Sequence, residues 1–549
     1  MTAPPEERAV SAGRGKLAEV IASRGGLAAP EAPFVIEHRE ALIYMLCVAA
    51  EIEHGIMCQY LFAASSLKQS VEEGLTAEEF DAVVRWRRVI THVATEEMLH
   101  LALVQNVLTS IGAAPHLDRP NLPAPAGHYP AGVNLMLVPF GEPALQHFLF
   151  LERPEGMELE GASGIDAPIH EAVPLPAKDN IVPQRQDFAT IGHLYRSIEQ
   201  GIAHLADKFG ERKLFVGDPR AQATNAYFRW PELVPVTDRA SAQQALDTIL
   251  EQGEGARGDW KHAHFGKFVE ILDEYRQMAA ANPDFEPARP VVFASVRLCE
   301  HDSVPLIGDR VTAGCGDLFN ISYEILLQIL ARFFAHTDET DAQLTTLANG
   351  ALGLMFGAIR PLGDLLTTLP VGPGHPGLNA GPSFELVYAS DYFIPHQPAA
   401  WTLLEERLRV AAGFCNQLRD SAPDGVAAQL ASVGEALGRV ADSLKAHFSD
   451  WDSVNRSDAT PSPVSPTHEQ EGAAPMQSIS FEANIKAMFR PRDRDSMQFA
   501  FDLWSYDDVS AHADDILARV RSGSMPCDGA WPKEQVDALQ SWIDSGKPR

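Results

Sequence analysis

The sequence has no paired cysteines. Its six cysteines (Cys47, Cys58, Cys299, Cys315, Cys415, Cys527) are scattered over 549 residues without a Cys-x-x-Cys pair, which excludes a zinc ribbon and a dense disulfide framework. A reducing, cytoplasmic setting is expected. Positive charge is also scarce: 44 Lys and Arg stand against 74 Asp and Glu, for a net charge of -30. Such a surface repels nucleic acid and anionic membrane, so neither is expected as a partner. The opening "MTAPPEERAVSAGRGKLAEVIASRGG" lacks the continuous apolar stretch of a signal peptide, and no unbroken run of about 18 apolar residues follows. The expectation is a soluble, uncleaved chain.

What is present is globular in composition, with 45% hydrophobic and 21% charged residues, and at roughly 150 residues per domain the length allows about three or four domains. Residues 1–33, rich in Ala, Gly and Pro, read as a loose arm. "EALIYMLCVAAEIEHGIMCQYLFAASSLKQ" (40–69) runs many turns without Pro and reads as one long helix. A second spans 76–112, opened by Thr76 with Glu79 three residues on and closed by Gly112 and Pro115. Residues 113–180 are crowded with Pro and Gly around one helical piece, "EPALQHFLFLE", a length that suits a crossover connection. A third helix is expected at 187–209 and a fourth from 241 to about 280, interrupted at "GEGARGD". The fold class is therefore all-α, with a four-helix bundle over 34–289, a second helical region over 290–451, a linker at 452–476 and a small helical tail domain at 477–549.

The chemistry rests on spacing. In "EEMLH", Glu97 and His100 are three residues apart and share a helix face with Leu101, Val104 and Leu108, so both point inward. A buried carboxylate is costly unless a charge compensates it, and a metal ion is one such charge. The first helix is then expected to supply Glu53, which shares a face with Leu46, Ala49, Met57 and Tyr60. Glu51 with His54 is the rival, since Glu51 and Glu53 lie about 200° apart on a helical wheel. On the fourth helix His264 stands on an apolar stripe with Phe268 and Ile271; Glu254 or Glu251 is the nearest preceding acid. The third helix offers His193, with His204 at nearly the same azimuth and Glu199 as the alternative carboxylate.

"EHGIMCQYLFAA" and "EEMLHLALVQNVLTSIGAAP" resemble the first two helices of the ferritin-like superfamily. More closely, "AAEIEHGIMCQYLFAASSLK", "TIGHLYRSIEQGI" and "EQGEGARGDWKHAHFGKF" are similar to the ferritin-like domain of the iminophenyl-pyruvate dimer synthase family, over residues 35 to 290 and more weakly to 450. The resemblance implies iron ligands at Glu53, Glu97, His100, Glu254 and His264, with His193 where ordinary bundles carry Glu. It implies one or two ions, with manganese as the alternative metal. That family includes enzymes that couple two imines made from tryptophan, although known bisindole-forming members are longer chains. The tail resembles a class I cytochrome c in outline, through "SGSMPCDGAWP" and "VDALQSWIDSG". It lacks Cys-x-x-Cys-His, with Cys527 its only cysteine, so a haem-free docking module is expected and Met525 is read as a core or loop residue.

The favoured function is an iron-dependent oxidoreductase of secondary metabolism acting on a small aromatic amino-acid-derived imine, in a chain that can form homo-oligomers. Tyr60 would donate a hydrogen bond to the site or relay an electron. The alternatives are non-catalytic metal binding and a scaffold with a vestigial site. A dry pocket beside Tyr60, large enough for an aromatic acid, would favour the enzyme.

Overall fold

Thr76 and Glu79 close a reciprocal cap: the Glu79 N–H donates to Thr76 Oγ1 at 3.2 Å and the Thr76 N–H to Glu79 Oε2 at 2.8 Å. From this cap a 34-residue helix, α2 (Ala77–Ser110), runs against the 28-residue α1 (Arg39–Ser66). The chain turns away just beyond α2, at Gly112, whose φ of +84° lies in the left-handed region that glycine tolerates best. These features are those of a computed structural model, which describes residues 35–125, 128–129, 135–155, 157, 188, 190–253, 260–297, 304–336, 338–387, 396–458, 480–490, 493–494, 501–522 and 531–549.

Helix α3 (Glu142–Leu151) follows in the crossover, then α4 (Ile191–Phe209) and the broken fourth bundle helix, α5 (Arg239–Gly253) and α6 (His264–Ala281). Helix α3 packs on α6, while α4 packs on both α1 and α5. Among the described residues only isolated β-bridges interrupt the helical architecture. Helices α7 (Arg310–Phe334), α8 (Asp341–Leu354), α9 (Arg360–Leu366), α10 (Gln397–Arg419) and α11 (Asp424–Asp458) complete the first unit, Met1–Thr460. One apolar core runs through both the bundle and this second helical region, from Ile36 to Leu444. Helix α11 continues to Asp458, into the stretch read as linker.

Helix α1 is long and apolar enough to cross a membrane, but 72% of its most apolar window is buried. Its hydropathy is that of a core helix. The second unit, Pro461–Arg549, carries α12 (Tyr506–Ala511), α13 (Ala513–Ser522) and α14 (Lys533–Asp544) around its own core, including Phe481, Leu503, Ile516 and Trp542. Met525 and Cys527 lie outside the described residues, as do the arm at 1–33 and Glu254.

Candidate metal centre

Two buried groups of ligand atoms meet at one residue. Glu53, Glu97 and His100 form the first and Glu97, Glu152 and His264 the second, with the atoms in each group within 4.8 Å of one another. Helix α1 supplies Glu53, one face of α2 supplies Glu97 and His100, the end of α3 supplies Glu152, and the first residue of α6 is His264. The break before α6 positions His264: its chain restarts as a helix just where the imidazole reaches the bundle interior.

Both imidazoles face inward through Nδ1. His100 Nδ1 lies 2.9 Å from Glu97 Oε2 and 3.5 Å from Glu53 Oε2, and His264 Nδ1 lies 2.8 Å from Glu97 Oε1 and 3.6 Å from Glu152 Oε1. The two rings stack with centroids 5.5 Å apart. Outward, His100 Nε2 meets Gln252 Oε1 at 2.9 Å and His264 Nε2 meets Glu96 Oε2 at 3.1 Å. An acceptor on Nε2 keeps the proton there and leaves Nδ1 of the neutral ring free as a ligand, the arrangement usual behind metal-bound histidines. Lys267 Nζ holds Glu96 in turn at 2.7 Å. Two tyrosines orient the outer carboxylates: Tyr195 donates to Glu53 Oε1 at 2.5 Å, and Tyr60 donates to Glu152.

One contact tests whether these residues fit a metal. His264 Nδ1 and Glu97 Oε1 are 2.8 Å apart, close enough for an ion pair, yet they are not aligned as a hydrogen bond and neither atom has any other hydrogen-bond partner. Their attraction is one of charge, with no directed hydrogen bond to complete it. They are placed as two ligands of one ion would be, and a set of three carboxylates and two imidazoles suits iron or manganese. The residues fit the group.

Without an ion the cluster is held by protons. Burial, and then the charge on Glu97, push the Glu53 carboxyl up to about 8. Burial and Glu97 likewise raise Glu152. Burial would also raise Glu97, but the positive charges of His100 and His264 outweigh it and hold Glu97 well below the usual carboxylate range. Burial opposes the charge on His100, but Glu97 and Glu53 overcome it and lift that imidazole to about 10. His264 is raised in the same sense, burial again being outweighed by Glu97 and Glu152.

Of the residues singled out from sequence, the structure brings together Glu53, Glu97, His100 and His264, with Tyr60 beside them. Tyr60 reaches Glu152, across the centre from Glu53. Of the two acids expected to accompany His264, Glu254 lies outside the described residues and Glu251 is exposed; the described acid beside His264 is Glu152. The sequence signal for Glu152 was present, a lone acid closing the apolar turn of "HFLFLE". His193 is buried near the start of α4 but belongs to neither ligand group. Residues two apart on a helix point about 200° away from each other, so the face that brings Tyr195 to Glu53 turns His193 elsewhere. His204 pairs with Glu37 at 3.1 Å, and Glu199 is in neither group. Glu51 is held by His116 and His128 at 3.0 Å each and by Tyr129 at 3.1 Å.

Carboxylates and histidines converging inside a helical bundle are how ferritin-like domains build metal sites. Residues 46–273 match the family model described as ferritin-like, and the chain carries a ferritin-like domain there. Among curated proteins it is 29% identical over 411 residues to dichlorochromopyrrolate synthase of Lentzea aerocolonigenes, a match covering 68% of this chain and 38% of that one. It is also 29% identical over 379 residues to 2-imino-3-(indol-3-yl)propanoate dimerase of Chromobacterium violaceum, covering 64% of this chain and 34% of that protein. The chain thus spans little more than a third of the length of the curated relatives it matches. A crystal structure of a ferritin-like protein from Caulobacter vibrioides superposes with a TM-score of 0.38 at 18% identity, over 61% of this chain and 96% of that one.

The outward partners carry a prediction. Glu96→Ala removes the acceptor on His264 Nε2, and ferrous-iron affinity, read by equilibrium competition with a chelator, is expected to fall about 10- to 100-fold. An unchanged affinity would mean that Glu96 serves only Lys267.

Proposed function

We propose that this chain is an iron-dependent oxidoreductase of secondary metabolism acting on a small aromatic, amino-acid-derived imine. Glu97 would be shared between two metal positions, with Glu53 and His100 on one side and Glu152 and His264 on the other. The observation that carries this reading is the pair of unaligned buried atoms, His264 Nδ1 and Glu97 Oε1, at the point where the two ligand groups join. Bound iron would supply one-electron redox chemistry and dioxygen reduction.

The chain's own residues supply the rest. Tyr195 and Tyr60 fix the two outer carboxylates through their O–H groups, and Glu96 and Gln252 fix the imidazoles. Ile56, Leu151, Ile191 and Ile249 wall a cavity of about 20 Å³ against the centre. That is room for a water-sized molecule such as dioxygen. It is not room for an aromatic acid. This small cavity is also the observation that favours the second reading, non-catalytic metal binding in a ferritin-like domain.

The named activities of the two relatives support an indole-derived imine as the substrate. Joining two such imines through a new C–C bond with loss of two hydrogens releases two electrons and two protons, which dioxygen can accept. A reducing, cytoplasmic setting suits the thiols of Cys47, Cys58, Cys315 and Cys415, none of them disulfide-bonded. The test is oxygen uptake by protein reconstituted with ferrous iron and supplied with the imine freshly generated from L-tryptophan. Uptake that needs both iron and imine, and that fails in His100→Ala, is the expected result. Iron that binds while oxygen uptake stays at the protein-free rate would leave the non-catalytic reading standing.

A further inference from the structure

A second cavity, lined in part by α1 and α2, is ten times larger than the one at the carboxylates, about 200 Å³ against about 20 Å³. No residue lines both. Glu53 of α1 and Glu97 and His100 of α2 line the small cavity, whereas Met57 and Leu61 of α1 and Met98 and Leu101 of α2 line the large one. The opposite wall comes from the second helical region and is aromatic, with Phe319, Tyr323, Phe334 and Phe384. An apolar cavity of about 150 Å³ holds a benzene ring. This one has the volume for a larger, bicyclic ring.

Several polar groups along it are already engaged. Arg87 is paired to Asp364 at 2.5 Å, Thr95 donates to the Thr91 carbonyl, Gln105 is bonded to the backbone of His116, and Tyr323 is bonded to His54. Arg360 also lines the cavity, is exposed, and has no acidic partner among the described residues. It follows directly on a π-helical turn, Met355–Ile359, which places Phe356 at the mouth with 66% of its surface exposed. A π turn carries an extra residue per turn at a cost in hydrogen-bond geometry, and such turns are concentrated at functional sites. Only half of the most apolar window of the helical run Asp341–Leu366 is buried, although it is apolar enough to span a membrane. Its uncovered apolar surface at Phe356 gives onto this cavity.

We propose that the cavity binds an aromatic monocarboxylate, the ring between the Met57–Leu101 wall and Phe319, Phe334 and Phe384, the carboxylate on Arg360. Aromatic faces and polarizable methionines accept a flat ring in preference to a flexible chain, and one unpaired guanidinium at the mouth of an otherwise apolar cleft selects a single anionic group. That this ligand is the substrate rests on the function proposed above; that the cavity binds it does not. The wall also links the two places physically, since His54, bonded to Tyr323 in the cavity wall, adjoins Glu53 in the chain.

The experiment is calorimetric titration of the metal-free full chain with indole-3-acetate and, separately, with uncharged 3-methylindole. Both are expected to bind, the carboxylate more tightly. Arg360→Ala should weaken indole-3-acetate about tenfold, the worth of one exposed charge-assisted hydrogen bond, and leave 3-methylindole unchanged. Ala102→Phe and Ser65→Phe, which fill the cavity from α2 and from α1, should each abolish both; two sites of filling, with the unfolding midpoint of each variant, separate occlusion from misfolding. Failure of both ligands to bind at millimolar concentration would overturn the proposal. So would binding that survives in folded forms of both filled variants, or tighter binding of decanoate than of indole-3-acetate. Because no metal is present, these outcomes are independent of whether the carboxylate centre holds iron.

Discussion

Glu97→Ala is expected to empty the metal centre completely, whereas Glu152→Ala removes only part of its capacity. Glu97 alone belongs to both ligand groups; Glu53 and His100 remain grouped without Glu152, but neither group survives loss of Glu97. Metal per chain after reconstitution with ferrous iron, measured by mass spectrometry, should fall to background in Glu97→Ala and to about half in Glu152→Ala and His264→Ala. The metal-free protein should suffer as well. Glu97 is the charge that holds both buried imidazoles protonated, and removing one partner from a buried ionic cluster costs about 3–5 kcal/mol. Part of that is recovered as His100 and His264 shed protons that burial no longer lets them keep. Chemical denaturation should therefore show a lower midpoint with an unchanged slope. Equal metal content in wild type and Glu97→Ala would sink the shared-ligand geometry, and with it the proposed centre.

Most of this centre could be read from spacing, because helical periodicity fixes which residues share a face. Glu97 and His100 are one turn apart on a helix whose apolar stripe is unambiguous, so their inward direction follows directly. The choice between Glu53 and Glu51 was harder, since α1 is buried nearly all round and its apolar pattern does not say which way it turns. The structure resolves it by giving each group a different destination: Glu53 to the centre, His54 to Tyr323, and Glu51 to His116, His128 and Tyr129. Those partners lie 65 to 269 residues away in sequence, beyond the reach of any local pattern. Glu152 escaped for a related reason. Its helix lies in the crossover, outside the four long helices, and only tertiary packing of α3 on α6 carries its carboxyl to His264. The large cavity was invisible in sequence because its walls come from α1, α2 and the second helical region, each of which reads as ordinary apolar helix.

The metal-free protein is expected to lose stability as the pH rises from 6 to 10, and iron is expected to restore more of it at each step. Glu53 is raised from 4.5 to about 8, so its contribution is full below about 4.5 and is lost as the pH climbs through about 8. His100 is raised from 6.5 to about 10, so its contribution is full below about 6.5 and is lost on the way to about 10. Both losses run in the same direction, so the unfolding temperature of the metal-free protein should fall steadily across this range. The same protons must leave before the carboxylate and imidazole can ligate an ion, so metal affinity grows over the range in which the empty site weakens. Paired thermal scans with and without ferrous iron, in buffers from pH 6 to 8.5 under nitrogen, should show the two curves diverging. Glu53→Gln separates this effect from the general repulsion of a chain with net charge -30: a neutral amide has no proton to lose, so the metal-free slope between pH 6 and 8 should flatten. If Glu53→Gln leaves that slope as it was, the pH dependence comes from the acidic surface and the protons of the centre contribute little to it.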